Sequence, residues 1–180
     1  MIVFITGGAK NGKSSLAQEL TLRLSRGGTH YYLATMLPVD AEDHERIRRH
    51  VADRAGLGFE TVEQPQNILE CLTKCDKEAA FLLDSTTALL MNELFVPPDW
   101  HLDRSAAERC GNEIVQLAKS VKNIVLVSDY IYSDAERYDE ITECYRRALA
   151  SIDRKITEIS DVVLEMAGGN IIAHKGVLPQ

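Results

Sequence analysis

The chain has 180 residues, 45% of them hydrophobic and 26% charged, with a formal net charge of −7, which is one domain's length with enough apolar side chains for a core. The acidic balance excludes a general nucleic-acid or anionic-membrane binder, and no stretch approaches the roughly 18 consecutive apolar residues of a membrane span. The first residues, Met1-Ile2-Val3-Phe4-Ile5, carry no basic leader, so the expectation is a cytoplasmic protein.

The apolar run at 1–6 predicts a buried strand, followed by a glycine loop and a helix over 13–26 that Gly27-Gly28 ends. A second strand is predicted over 29–35, then a charge-rich helix over 40–54 broken by Gly56-Leu57-Gly58. A short strand over 59–63 and a helix over 66–74 come next. The run 79–84 is continuously apolar and ends in an acid, the form of a central parallel strand. A helix near 89–95, a loop at Pro97-Pro98 and an amphipathic helix over 105–119 follow. The chain then predicts a buried strand over 123–128, a long charged helix over 136–159, and a hairpin of 161–166 and 170–174 about Gly168-Gly169. Strands alternating with amphipathic helices, without repeat or linker, predict one α/β domain over 1–180 with a mostly parallel, doubly wound sheet.

Cys71 and Cys75 are four apart, which puts two thiols on one helical face, but no CxxC or nearby histidine completes a zinc set. With Cys110 and Cys144 they are expected to be reduced and to act as small hydrophobes.

The chemistry concentrates in the first loop. Gly7-Gly8-Ala9-Lys10-Asn11-Gly12-Lys13-Ser14 matches the phosphate-loop pattern G-x-x-x-x-G-K-[ST], with an apolar strand before it and a helix after it. The glycines let successive N–H groups turn inward toward phosphate oxygens, and the helix adds its positive dipole end. Lys13 is placed to reach the β- and γ-phosphates and the Ser14 hydroxyl to coordinate Mg2+. The loop therefore predicts a purine nucleoside triphosphate, GTP or ATP. Asp84, at the carboxyl end of the 79–84 strand, is the best-placed second acid for the magnesium; an ordinary cap for Ser85-Thr86 is its alternative role.

Further motifs follow in order. Tyr32-Leu33-Ala34-Thr35, then Arg46-Ile47-Arg48-Arg49-His50 with Arg54, then Thr61-Val62-Glu63 and Pro65, then Leu82-Leu83-Asp84-Ser85-Thr86-Thr87 with Asn92, and finally Val125-Leu126-Val127-Ser128 stand behind the GGAKNGKS loop. This ordered set, which spans essentially the whole chain, resembles the bifunctional adenosylcobinamide kinase/adenosylcobinamide-phosphate guanylyltransferases (the CobU/CobP family). The resemblance implies a P-loop NTPase fold of RecA-like type, a three-layer sandwich whose mostly parallel sheet ends in a C-terminal antiparallel hairpin. It implies two reactions: phosphorylation of adenosylcobinamide by a nucleoside triphosphate, then GMP transfer from GTP through a guanylylated histidine. That histidine maps onto His50, with Thr35, Arg46, Arg54 and Glu63 joining the loop as nucleotide-binding residues. A corrinoid substrate and a homotrimer in which the 40–54 helix meets a neighbouring subunit are implied as well.

His50 suits the role on chemical grounds, because a neutral imidazole is nucleophilic near pH 7 and a phosphoramidate divides one hard transfer into two easier ones. Arg46 and His50 are i and i+4, and Arg54 follows by four more, so all three share a face. A solvated charged helix is the alternative for this segment. Two regions depart from the family pattern: Ser128-Asp129-Tyr130-Ile131 stands where it carries Ser-Asn-Glu-Val-Gly, and Ser151-Ile152-Asp153-Arg154 where it carries R-x-N-Q. The acceptor side of the site is where this chain is expected to differ. The loop itself also admits a small P-loop kinase for another acceptor or a GTP-binding regulatory module.

Overall fold

Stretches such as Ile2–Gly7, Ala80–Asp84 and Asn123–Val127 have apolar side chains on both faces, so they are stable only between two helical layers. The computed structural model, which describes residues 1–96 and 101–178, builds that arrangement. The elements run β1 (Ile2–Gly7), α1 (Lys13–Ser25), β2 (His30–Ala34), α2 (Ala41–Asp53), β3 (Glu60–Glu63), a 3-10 helix (Ile68–Thr73), β4 (Ala80–Asp84) and α3 (Thr86–Leu94). They continue with β5 (Phe95–Val96), β6 (His101–Leu102), α4 (Ala106–Ser120), β7 (Asn123–Val127), α5 (Glu140–Ile159), β8 (Val162–Ala167) and β9 (Asn170–Lys175).

Seven strands form one sheet in the order β3-β2-β4-β7-β1-β8-β9. All its pairings are parallel except β8 with β9, the expected C-terminal hairpin. On one face Leu16, Ala17 and Leu20 of α1 pack on Val3, Ile5, Leu82, Val125 and Leu164. On the other, α3, α4 and α5 bury Leu89, Ile114, Leu149 and Ile152 against Phe4, Phe81 and Leu126. This is the three-layer architecture the sequence predicts. Among the described residues no helix is long and apolar enough to cross a membrane.

The register matters most for the site. Ala34 pairs with Asp84, Asp84 with Val127, and Val127 with Ile5, while Glu63 pairs with Ala34. The carboxyl ends of β3, β2, β4, β7 and β1 therefore finish at one edge, where open α/β sheets bind ligands.

Several elements differ from expectation. The segment near 66–74 is a 3-10 helix over Ile68–Thr73: it starts only after Asn67, whose φ of 49° is left-handed, and the Lys74 N–H closes it on the Cys71 carbonyl. The helix expected near 89–95 is α3, starting at Thr86, because the Ser85 hydroxyl caps it by accepting from the Ala88 N–H. The long charged helix starts at Glu140, four residues later than the charge pattern suggests, because the Asp139 carboxylate caps the N–H groups of Ile141 and Thr142. The antiparallel β5–β6 pair carries no signal in the sequence pattern. The Pro97-Pro98 loop lies outside the described residues.

Candidate nucleotide site

The phosphate loop sits between β1 and α1 for steric reasons. Gly7 has φ 151°, and a Cβ there would lie 2.5 Å from the Met166 carbonyl oxygen on β8, so the end of β1 accepts only glycine. Gly12, at φ 85°, turns the chain into α1 without any side-chain cap. The first-turn N–H groups of α1 are thus left to the solvent side of the loop, where an anion can take them.

Lys13 is 6% exposed, and a buried ammonium needs partners. It has two: Nζ donates to the Gly8 carbonyl at 2.6 Å and pairs with Asp129 Oδ1 at 2.6 Å.

At the end of β4, Asp84 Oδ2 accepts the Tyr32 hydroxyl at 3.1 Å. The Arg54 guanidinium lies 4.1 Å over the Tyr32 ring, so Tyr32 joins the end of α2 to Asp84. Burial first, and then the Asp84 carboxylate, push the Tyr32 phenol well above its ordinary range, with Arg54 acting in the opposite sense. Tyr32 therefore remains the donor in this bond. The capping work at this point belongs to Ser85, not to Asp84.

A magnesium ion, implied by the loop, finds suitable donors here. Among the described residues Asp84 Oδ1 has no hydrogen-bond partner and the Ser14 hydroxyl makes no hydrogen bond. Both are hard oxygen donors, and a cation that keeps waters and phosphate oxygens needs few protein ligands. Among the described residues no group of three or more His, Cys, Asp or Glu makes a protein-only cage.

The other expected nucleotide residues lie after β2, on β3, on α2 and in the phosphate loop. Thr35 is fully buried; its hydroxyl donates to the Ser85 carbonyl and accepts the Ser85 N–H, both at 2.9 Å. It thus fixes the segment after Asp84 rather than facing a ligand, and Asn92 Nδ2 holds the Thr35 carbonyl at 2.7 Å. Glu63 is exposed at the end of β3. Arg46 is exposed and, among the described residues, pairs with Glu42 and Asp43 of its own helix, at 3.9 and 3.7 Å. His50 is half-buried in the last turn of α2, which buries none of its residues. Lys10, at φ 59°, and Ala9 are exposed at the tip of the loop, while Asn11 is half-buried beside Gly8.

The structure gives partners to residues that the sequence marks only as departures from the family pattern. Asp129 follows β7, the strand between β4 and β1, and its backbone N–H donates to Thr87 Oγ1 at 3.0 Å. Behind it Asp153 of α5, 4% exposed, accepts the Ser128 hydroxyl at 3.0 Å and the Tyr132 hydroxyl at 2.8 Å through Oδ2, while its Oδ1 is buried without a partner. Burial pushes its carboxyl up to about 6, with the Tyr132 and Ser128 hydrogen bonds pulling the other way. Tyr130 donates to Glu165 Oε1 at 3.1 Å, and Glu165 Oε2 meets His174 Nε2 at 2.7 Å. The signal for Asp129 was an acid just past a buried strand, the same signal that marked Asp84.

The chain has similar sequences and folds among known proteins. A family model described as CobU, cobinamide kinase/cobinamide phosphate guanyltransferase, matches residues 3–173. The bifunctional adenosylcobalamin biosynthesis protein CobU of Salmonella typhimurium (strain LT2) is 25% identical over 182 residues, which cover 94% of this chain and 97% of that protein. Among solved structures, an ATPase domain aligns with a TM-score of 0.54 at 9% identity, covering 97% of this chain and 76% of that one. A KaiC-like protein from Pyrococcus horikoshii OT3 aligns at 0.50 and 14% identity, covering 99% and 81%. These two share the fold.

Proposed function

The chain belongs to the cobinamide kinase/cobinamide phosphate guanyltransferase family, and from that premise we propose that this transferase of cobalamin assembly acts, as a single domain over 1–180, on a corrinoid in two steps. The observation that carries the reading is the phosphate loop: a Gly7 that only glycine can fill, an uncapped α1 N-terminus, and a buried Lys13 at its mouth.

In the first step the loop N–H groups from Gly8 to Ser14 hold the phosphates of ATP or GTP, and Lys13 moves from the Gly8 carbonyl to the β- and γ-phosphates. Ser14 and Asp84 are the residues that would hold Mg2+, whose chemistry is to neutralise charge on the transferred phosphoryl group. Tyr32, between Arg54 and Asp84, keeps that carboxylate aimed, and Thr35 supports it through the Ser85 backbone. The aminopropanol hydroxyl of adenosylcobinamide takes the γ-phosphoryl group.

In the second step the imidazole of His50 attacks the α-phosphorus of GTP and pyrophosphate leaves. Arg46 and Arg54, from the same helical face, neutralise the guanylyl group, and Glu63 completes the nucleotide contacts at the sheet edge. An oxygen of adenosylcobinamide phosphate then displaces His50 to give adenosylcobinamide-GDP.

The test is covalent trapping. GTP labelled in the α-phosphate should leave a protein adduct stable to base and labile to acid, and His50→Ala should lose it while still phosphorylating adenosylcobinamide. An adduct that persists in His50→Ala moves the nucleophile to another histidine.

A further inference from the structure

We propose that Asp129 is the base that receives the hydroxyl proton of the phosphoryl acceptor in the kinase step. The proposal rests on the kinase reading above and adds a catalytic residue to it.

Position comes first. Lys13 is the cation that turns to the γ-phosphate, and before it turns its Nζ lies 2.6 Å from Asp129 Oδ1. Asp129 is held there by backbone on several sides. Its own N–H donates to Thr87 Oγ1, the preceding Ser128 N–H donates to the Ile5 carbonyl at 3.0 Å, and the following Tyr130 N–H donates to the Gly7 carbonyl at 3.4 Å. The Ser128 and Tyr132 hydroxyls on either side are both anchored on Asp153. A carboxylate fixed from both sides beside the phosphate-binding lysine is not a loose surface charge.

Availability comes second. Asp129 is 33% exposed, and its Oδ2 has no hydrogen-bond partner among the described residues. The neighbouring acids are committed elsewhere. Asp84 stands one strand farther from β1 and accepts Tyr32; Glu165 has both oxygens engaged by Tyr130 and His174; Asp153 is buried behind the strand.

Charge comes third. Asp129 partners the buried Lys13 ammonium while no nucleotide is bound, and beside a γ-phosphate the same anion opposes nucleotide binding through like-charge repulsion. When Lys13 turns to the phosphate, Asp129 is released next to the incoming hydroxyl. The acceptor O–H bond breaks and its proton goes to Asp129. The oxygen bonds to the γ-phosphorus, the bond from that phosphorus to the β–γ bridging oxygen breaks, and the nucleoside diphosphate leaves with the electron pair.

The experiment measures phosphoryl transfer to adenosylcobinamide and, separately, nucleotide affinity with a fluorescent GTP analogue, using the full chain. Asp129→Asn should lower kcat by about 10²- to 10⁴-fold, the usual worth of general-base catalysis. Nucleotide affinity should stay equal or tighten, because the competing charge beside Lys13 is gone, and the guanylyl adduct should still form. In Asp129→Ala, added formate should restore part of the turnover, which a purely structural residue would not show. Wild-type kcat in Asp129→Asn overturns the proposal, as does loss of nucleotide binding together with turnover, which would make the residue a prop for the loop. If the wild-type chain binds nucleotide but transfers nothing to the corrinoid, the kinase reading itself fails and this role falls with it.

Discussion

Asp153 shows how one buried side chain couples the site to pH. Its carboxyl is raised from an ordinary 3.8 to about 6 by burial, so between those values the folded protein binds a proton that the unfolded chain has released. Stability from this group is therefore greatest at low pH and is lost as pH rises through the interval, by up to about 3 kcal/mol as an order of magnitude. Asn at this position keeps an oxygen for Ser128 and Tyr132 but does not titrate. Urea unfolding of Asp153→Asn and wild type at several pH values should show the balance shifting toward the variant between about pH 4 and pH 6. Parallel curves would show that the folded carboxyl titrates where the unfolded one does, as it would if water supplied its missing partner. The same residue scale explains what was legible locally. The phosphate loop was readable because glycine, lysine and serine stand at fixed spacing within one turn. Asp129 was not, because its partner Lys13 lies on a strand–helix junction far away in sequence, and only the β1–β7 register brings them together.

Between residues and the fold stands the segment from the end of β7 to the start of α5, and one arginine organises it. Arg146 of α5 is 7% exposed; its Nε donates to the Ile131 carbonyl at 3.1 Å, an NH2 pairs with Asp134 at 2.8 Å, another with Glu143, and the group lies 4.7 Å over the Tyr138 ring. This explains why the helix begins at Glu140 although the charge pattern runs back to 136: the residues before it wrap around a guanidinium. Arg146→Leu takes the guanidinium away from two carboxylates and from the carbonyls of Ile131, Asp134 and Glu136. Because Asp134 and Glu143 are partly solvated, the expected loss is about 1–3 kcal/mol, below that of a fully buried pair. Hydrogen exchange should rise over 129–139 while β7 stays protected. Unchanged protection in that segment would mean that the Asp153 anchor alone holds it. Since Asp129 begins the segment, phosphoryl transfer should fall with the protection.

At the scale of the molecule, the sheet was legible because uninterrupted apolar runs fit only a strand covered on both faces, and the register then gathered β2, β3, β4, β7 and β1 at one edge. The family resemblance located Thr35 on that edge, but only the packing shows its hydroxyl closed on Ser85. Helix α2 is the part that neither the sequence nor a single copy of the chain accounts for. It buries none of its residues, Val51 is 49% exposed, and Val39 just before it is 70% exposed. Among the described residues its arginines Arg46, Arg48 and Arg49 pair only with acids of the same helix, an arrangement worth about 0.2–0.5 kcal/mol per pair. A helix held so weakly to its own core, yet carrying His50, fits the homotrimer that the family resemblance implies, in which α2 meets a neighbouring subunit and would complete the guanylyl site there. Light scattering should then report about three times the 20.1 kDa chain mass. Placing a charge among the exposed apolar side chains, as in Val51→Asp, should shift the protein toward the monomer, because an unpaired carboxylate at an interface is poorly tolerated. In that variant nucleotide binding at the phosphate loop should persist, since α1 and β1 lie within one subunit, while the guanylyl adduct on His50 falls. A monomeric wild type, or a monomeric Val51→Asp that forms the adduct at the wild-type rate, would show that α2 reaches its nucleotide within one chain, and closure of that helix over the Tyr32–Asp84 edge would then be the motion to seek.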